Sequence, residues 1–153
     1  MIDSFSGNYY FLSNFYPSCI YLKVQEDWVA CRTVEHAFQA SKTIYPRQQL
    51  EIINAETPGK AKQLGRQLVL RNDWEDIKVD VMRQLLMQKF ADVTLRTKLL
   101  ATGNETLVEG NYWHDNFYGN CSCPKCKNIQ GKNILGTLLM KERERIKKTL
   151  KGD

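Results

Sequence analysis

The sequence predicts a predominantly helical α+β chain with a short N-terminal β-hairpin, on three observations. Ile20, Leu22 and Val24 alternate with Tyr21 and Lys23, the period of a half-buried strand. From Val34 onward the apolar period turns helical and stays so for most of the chain. The 153 residues carry 42% hydrophobic side chains, which supply one domain with a core that buries about two thirds of the unfolded surface. Disorder and a disulfide-dense miniprotein are thereby excluded, and a single domain over residues 1–153 is expected.

The elements follow in order. Residues 9–31 read as the strand-rich part, with Gln25-Glu26-Asp27 as a polar turn before Trp28-Val29-Ala30-Cys31. A first helix is predicted over 34–44 with Thr33 as its N-cap, and Pro46 breaks it or starts the next. In that helix Val34, Ala37, Phe38 and Ser41 share one side, while Glu35, Gln39 and Lys42 form a polar stripe. Thr57-Pro58 opens a short helix through Ala61, Leu64 and Leu68, and Asp73 caps the longest central one. There Ile77, Val81, Leu85, Met82, Leu86 and Phe90 make the apolar face. A helix over 95–102 ends at Gly103, and 106–109 is a candidate strand. Residues 110–131 read as a loop too long for a mere connection. The last helix, 133–150, turns Leu135, Leu138, Leu139, Ile146 and Leu150 inward and its Lys and Arg residues outward.

The net charge of +5 is unevenly placed. Residues 1–120 hold 13 basic and 14 acidic side chains, and residues 121–153 hold 9 and 3. A basic end suits either a phosphate-bearing partner or a solvated helix face. No apolar run approaches the roughly 20 residues of a membrane span, and Met1-Ile2-Asp3-Ser4 does not read as a secretory leader, so a cytoplasmic protein is expected. Five cysteines, Cys19, Cys31, Cys121, Cys123 and Cys126, are an odd set that points to free thiols or metal ligands.

Two segments concentrate aromatic rings among amides without a hydrophobic period: residues 8–17 and residues 111–120. Each reads as a core strand with satisfied polar groups or as a pocket wall. Together with the Glu35, Gln39 and Lys42 stripe they describe a pocket for a flat heterocycle and its sugar.

The same segments carry a resemblance. Phe11-Leu12-Ser13-Asn14-Phe15, then Thr33-Val34-Glu35-His36-Ala37-Phe38-Gln39-Ala40-Ser41-Lys42, Ala61-Lys62 to Gly65-Arg66, Leu70-Arg71-Asn72-Asp73-Trp74 to Lys78 and Val81-Met82, Trp113 to Gly119, and Gly131-Lys132-Asn133 to Leu138-Leu139-Met140 appear in this order. The chain resembles the NADAR (YbiA-like) family over nearly its whole length. That resemblance implies a compact, mainly helical α+β fold and N-glycosidase activity. The family's substrates are of two kinds: ribosylamino-pyrimidine phosphates from early riboflavin synthesis, and ADP-ribose on guanine bases in nucleic acid. Two departures stand out. Tyr118 occupies a place where many members have tryptophan, and the Cys121-to-Cys126 segment is found in only some of them.

Cleaving a bond from C1′ to nitrogen passes through an oxocarbenium-like sugar, so the site needs an anion near C1′, placed water and a proton donor. Glu35 matches the family's catalytic glutamate and is the first choice to stabilise the sugar or activate water. Asp115 orients ribose hydroxyls or shares the acid/base work. On a continuous helix Lys42 lies about 10 Å from Glu35 on nearly the same face. The family lysine at this place also invites a route in which its amine attacks C1′, which needs a lowered pKa. The plain reading of Lys42 is a partner on a solvated face. Ser13, Asn14, Phe15, Gln39, Trp113, Asn116 and Tyr118 are the expected substrate contacts. Arg66 and Arg71 suit a substrate phosphate, or are surface charges at helix ends; Trp74, at a helix start, is expected in the core.

No cofactor is expected to be required. Cys121, Cys123 and Cys126 have the spacing of half a zinc knuckle, and a closed site needs four ligands, which only His114, Cys31 or Cys19 can complete. Reduced, partly buried thiols are the expected state, with structural zinc as the alternative. The expected partner is a ribosylated nucleobase or nucleotide, either free or within DNA or RNA, and not a membrane; the competing class is a non-catalytic module that binds ADP-ribose or nucleic acid.

Overall fold

The computed structural model describes residues 1–152. They form two compact units: Asn14–Ala91, and Met1–Ser13 together with the chain from Asp92 onward. Among the described residues no helix is long and apolar enough to cross a membrane.

In the Asn14–Ala91 unit, β1 (Ile20–Val24) pairs antiparallel with β2 (Asp27–Cys31), Ile20 opposite Cys31 and Val24 opposite Asp27. The connection is two residues, with Gln25 in the left-handed region at φ 56°, so Asp27 belongs to the strand and not to the turn. α1 (Val34–Ala40) follows, capped by Thr33, whose side chain accepts from the His36 backbone N–H. All seven of its residues are buried because it packs against α2 (Pro46–Ile53), α3 (Pro58–Arg66), α4 (Trp74–Lys89) and both strands. Glu35 and Gln39 of the polar stripe are therefore buried along with the apolar side, because a helix covered on every side has no solvated face. α1 also ends at Ala40, four residues before the expected 44, as Ser41 and Lys42 turn back onto Phe38 and Gln39 carbonyls. Pro46 begins α2. Asp73 sits at the N-cap of α4 but makes no capping bond, since its carboxylate is held by Arg71. The unit's core gathers Ile20, Val24, Val34, Phe38, Ile52, Trp74, Met82, Leu86 and Phe90. As expected for Trp74, its ring is buried, 5.1 Å from that of Phe38.

In the other unit, residues 7–12 are a 3-10 helix opened by Gly7 at φ 56°, so the strand-rich reading fails before β1. Residues 8–12 never alternate apolar with polar, the pattern a strand would need. α5 (Val93–Ala101) is capped by the Asp92 carboxylate and stopped by Gly103. The candidate strand 106–109 reduces to a bridge between Leu107 and Ile2; β3 is instead Gly110–Asn111, pairing in parallel with β4 (Asn120–Cys121). α6 (Ile134–Leu150) buries Leu135, Leu138, Leu139 and Ile146. Leu150, expected inside, is 61% exposed in the last turn, and Arg143, expected outside, is buried, donating to Thr102 Oγ1 and the Glu105 carbonyl.

Candidate functional site

The first group of candidate residues is built on α1. Glu35 is 7% exposed, in the helix's first turn, and its backbone N–H donates to the Asn14 carbonyl at 3.1 Å. One turn on, Gln39 Nε2 donates to Glu35 Oε1 at 2.7 Å and fixes the carboxylate. Gln39 is held in turn by Gly65 of α3: a Cβ there would come within 1.8 Å of Gln39 Oε1, so only glycine admits this side chain. Asn14, also buried, donates through Nδ2 to Met82 Sδ at 3.5 Å, and Phe15 is half-buried.

Lys42 lies beyond the C-cap Ser41, so its side chain is aimed by a turn and not by helical periodicity, which corrects the expected i, i+7 face. Its backbone is fixed by donation to the Gln39 carbonyl and by acceptance from the Arg71 N–H. Its ammonium lies 5.9 Å over the Phe38 ring. Burial holds the Lys42 pKa below the ordinary lysine range; the Glu35 charge opposes that shift, and the charges of Lys62, Arg66 and Lys78 add to it. A depressed lysine that feels a buried glutamate is a proton-transfer pair or a nucleophile with its anion. Arg66 is exposed at the end of α3, whereas the Arg71 guanidinium is committed to the Asp73 carboxylate at 2.6 and 3.2 Å. Of the two phosphate candidates, Arg66 alone is without that intramolecular anion.

His36, inside the same motif, serves the structure. Its Nδ1 meets Thr33 Oγ1 at 2.8 Å and its Nε2 lies 3.0 Å from the Ala55 carbonyl, so the ring donates from Nε2 and accepts at Nδ1. Burial lowers its pKa and keeps it neutral.

The second group belongs to the other unit. Asp115 Oδ1 accepts from the backbone N–H groups of Phe117 at 3.1 Å and Tyr118 at 2.9 Å. The Asn111 amide clamps the Asp115 backbone, accepting from its N–H at 3.1 Å and donating to its carbonyl at 2.8 Å. One carboxylate oxygen thus shapes the turn and the other is available for chemistry. Asn116 is committed within the loop: its Oδ1 accepts from Cys121 N–H at 2.9 Å and its Nδ2 donates to Cys126 Sγ. Trp113 is 55% exposed, and the Tyr118 ring stands edge-on to Phe117 at 4.8 Å. Ser13 ends the 3-10 helix, its N–H donating to the Tyr10 carbonyl.

A set of side chains able to ligate a metal lies in this same loop, where His114 joins Cys121, Cys123 and Cys126. Cys31 is buried elsewhere, its thiol pushed up to about 12 by burial and by Cys19. Thr33 caps α1 as the sequence indicates, whereas His36 and Gly65 stand in the sequence only as motif letters, and their roles appear once the helices are packed. Lys89, 1% exposed with its ammonium 5.3 Å from the Phe90 ring, gave no sequence signal at all.

Comparison with known proteins places these residues in a family. The family model for the NADAR domain matches residues 3–147. An N-glycosidase of Nostoc punctiforme, Npun_R5314, is 39% identical over 144 residues, 90% of this chain and 86% of that protein. N-glycosidase YbiA of Escherichia coli is 39% identical over 121 residues, 74% of this chain and 69% of that protein. A riboflavin biosynthesis protein of Vibrio vulnificus, VVA0006, is 37% identical over 142 residues, but the chain spans only 36% of its length. The NMR structure of E. coli YbiA superposes with a TM-score of 0.77 at 35% identity, over 97% of this chain and 88% of that one. The order of the motifs, the mainly helical α+β architecture and these matches agree: the chain belongs to the NADAR domain family.

Proposed function

We propose that this chain is an N-glycosidase that hydrolyses a ribose C1′–N bond, with Glu35 and Lys42 as its working pair. The observation that carries the reading is the buried Glu35 carboxylate, fixed by Gln39 and acting on a lysine whose pKa burial has lowered. A desolvated, oriented carboxylate is what an oxocarbenium-like sugar or its attacking water requires. Relatives at 39% identity bear the name N-glycosidase, which supports the reaction class. Asp115 is the candidate second acid, through the carboxylate oxygen that the turn leaves uncommitted.

For the substrate we favour a ribosylamino-pyrimidine phosphate. Three of the nine basic side chains in the C-terminal segment are engaged internally and so lost to a phosphate backbone: Arg143 holds Thr102 and Glu105, Arg145 pairs with Glu142, and Lys147 donates to Gly103 and Asn104. Two relatives are named riboflavin biosynthesis proteins. One observation favours ADP-ribosylated guanine in nucleic acid, namely the exposure of the consecutive residues Tyr112 and Trp113, whose ring types serve as stacking platforms for bases.

A product assay on both substrates side by side tests the proposal. Free base is expected from the ribosylamino-pyrimidine phosphate, with turnover about 10²-fold or more lower in Glu35→Gln. Equal rates in the two proteins would overturn the role of Glu35. Tight, salt-dependent nucleotide binding without release of base would replace an enzyme by a binding module.

A further inference from the structure

The proposed chemistry makes no use of His114, Cys121, Cys123 and Cys126, yet these four bring one ring nitrogen and three sulfurs within 4.8 Å of one another. His114 Nδ1 lies 3.4 Å from Cys123 Sγ, 3.4 Å from Cys126 Sγ and 4.0 Å from Cys121 Sγ. A tetrahedral zinc with Zn–S of about 2.3 Å and Zn–N of about 2.0–2.1 Å sets its sulfur–nitrogen edges at about 3.6 Å and its sulfur–sulfur edges at about 3.8 Å. The three nitrogen–sulfur distances bracket that edge.

Ordinary packing does not account for the arrangement. An imidazole nitrogen offers one lone pair or one proton, so it satisfies one thiol, and here three converge on it. The cysteines form a buried cluster of their own, apart from the aliphatic side chains that fill the rest of the unit. His114 holds φ at 71°, a left-handed backbone that a residue with a Cβ seldom adopts. Two N–H groups already point at the sulfurs, His114 N–H at Cys121 Sγ (3.3 Å) and Asn116 Nδ2 at Cys126 Sγ (3.4 Å). Donors aimed at ligand sulfurs are what the outer partners of a metal centre supply. The loop also has little regular structure, since between Asn111 and Ile134 there are only the two-residue β4 and one 3-10 turn at Pro124–Cys126.

We propose that His114, Cys121, Cys123 and Cys126 bind one structural Zn2+ in a closed Cys3His site that fixes the loop carrying Asp115 and Tyr118. Binding releases the three thiol protons to solvent, and His114 ligates through the Nδ1 lone pair of its neutral ring, so the site carries one net negative charge. All four positions are taken by protein, which leaves none for substrate or water and makes the role structural.

The test is metal analysis of the full chain purified under reducing conditions without added zinc, and it requires no substrate. One zinc per chain is expected in the wild type and in Cys31→Ser, and less than half that in Cys123→Ser and Cys126→Ser. His114→Cys should keep the metal, because four thiolates close the site equally well, a rescue that a merely structural defect would not give. Cobalt added to chelator-stripped wild type should show thiolate charge-transfer and tetrahedral absorption, which reads the site even where a cysteine variant fails to fold. Stripping should also speed hydrogen exchange at the Phe117 and Tyr118 amides. A folded wild type without metal, with iron in place of zinc, or with a disulfide between two of the three cysteines would overturn the proposal; glycosidase activity is read separately.

Discussion

α1 and the loop from Asn111 to Asn133 carry the two groups of candidate residues, and they are built by opposite means. α1 is seven residues of repeating backbone bonds, covered by three helices and a hairpin, so its side chains are placed by packing. The loop has almost no repeating backbone structure and is placed by side chains that bond to backbone: Asn111 to Asp115, Asp115 to Phe117 and Tyr118, Asn133 to Leu107 and Glu109. A packed helix fails when its volume is disturbed, and a clamped loop fails when a single polar or metal-binding group is removed.

Gly136→Ala strikes the loop's anchor hardest. A Cβ at 136 would lie 2.1 Å from the Leu107 carbonyl oxygen, a backbone atom that cannot rotate away, and 2.4 Å from the Asn133 amide nitrogen that donates to that carbonyl. A loss of about 3 kcal/mol is expected in denaturant unfolding, at the upper end of overpacking costs.

Gly65→Ala strikes α1 more gently, because the obstacle is the end of the Gln39 side chain. About 1–2 kcal/mol of stability is expected to go. Base release should fall further than that loss explains, because the Gln39 bond to Glu35 must break; unchanged turnover would show that Gln39 does not position the carboxylate.

Lys42→Met separates packing from charge. With the ammonium as the working form, wild-type turnover should fall as pH rises through the lowered Lys42 pKa, below the ordinary lysine range, and the variant should lose that limb. A rise in place of the fall, with a sugar adduct trapped by borohydride, would assign attack by the amine.

Thr33→Val removes the α1 cap and the His36 Nδ1 partner together, for about 1 kcal/mol or somewhat more. The His36 pKa is depressed in the fold, so its contribution is complete above the ordinary value of 6.5 and is lost as pH falls below it. In His36→Gln that acid-side slope should flatten. Leu150→Ala, on an exposed last turn, should change stability by less than about 0.5 kcal/mol.

The sequence alone determined the hairpin, the helix starts at Val34, Pro58 and Trp74, and the family, because these rest on local signals: alternation, capping residues, proline at a first turn, and motif order. Periodicity by itself extended α1 to 44 and left a solvated face open as the plain reading of Lys42, since nothing local records that other elements cover every side of the helix. Only the tertiary structure decided that Lys42 sits past the helix end with a lowered pKa, that Arg71 is taken by Asp73, and that His114, and not Cys19 or Cys31, joins the three loop cysteines. The first depends on which distant side chains share one buried volume, where charge is costly, and the other two on how the chain turns locally, which no periodicity records.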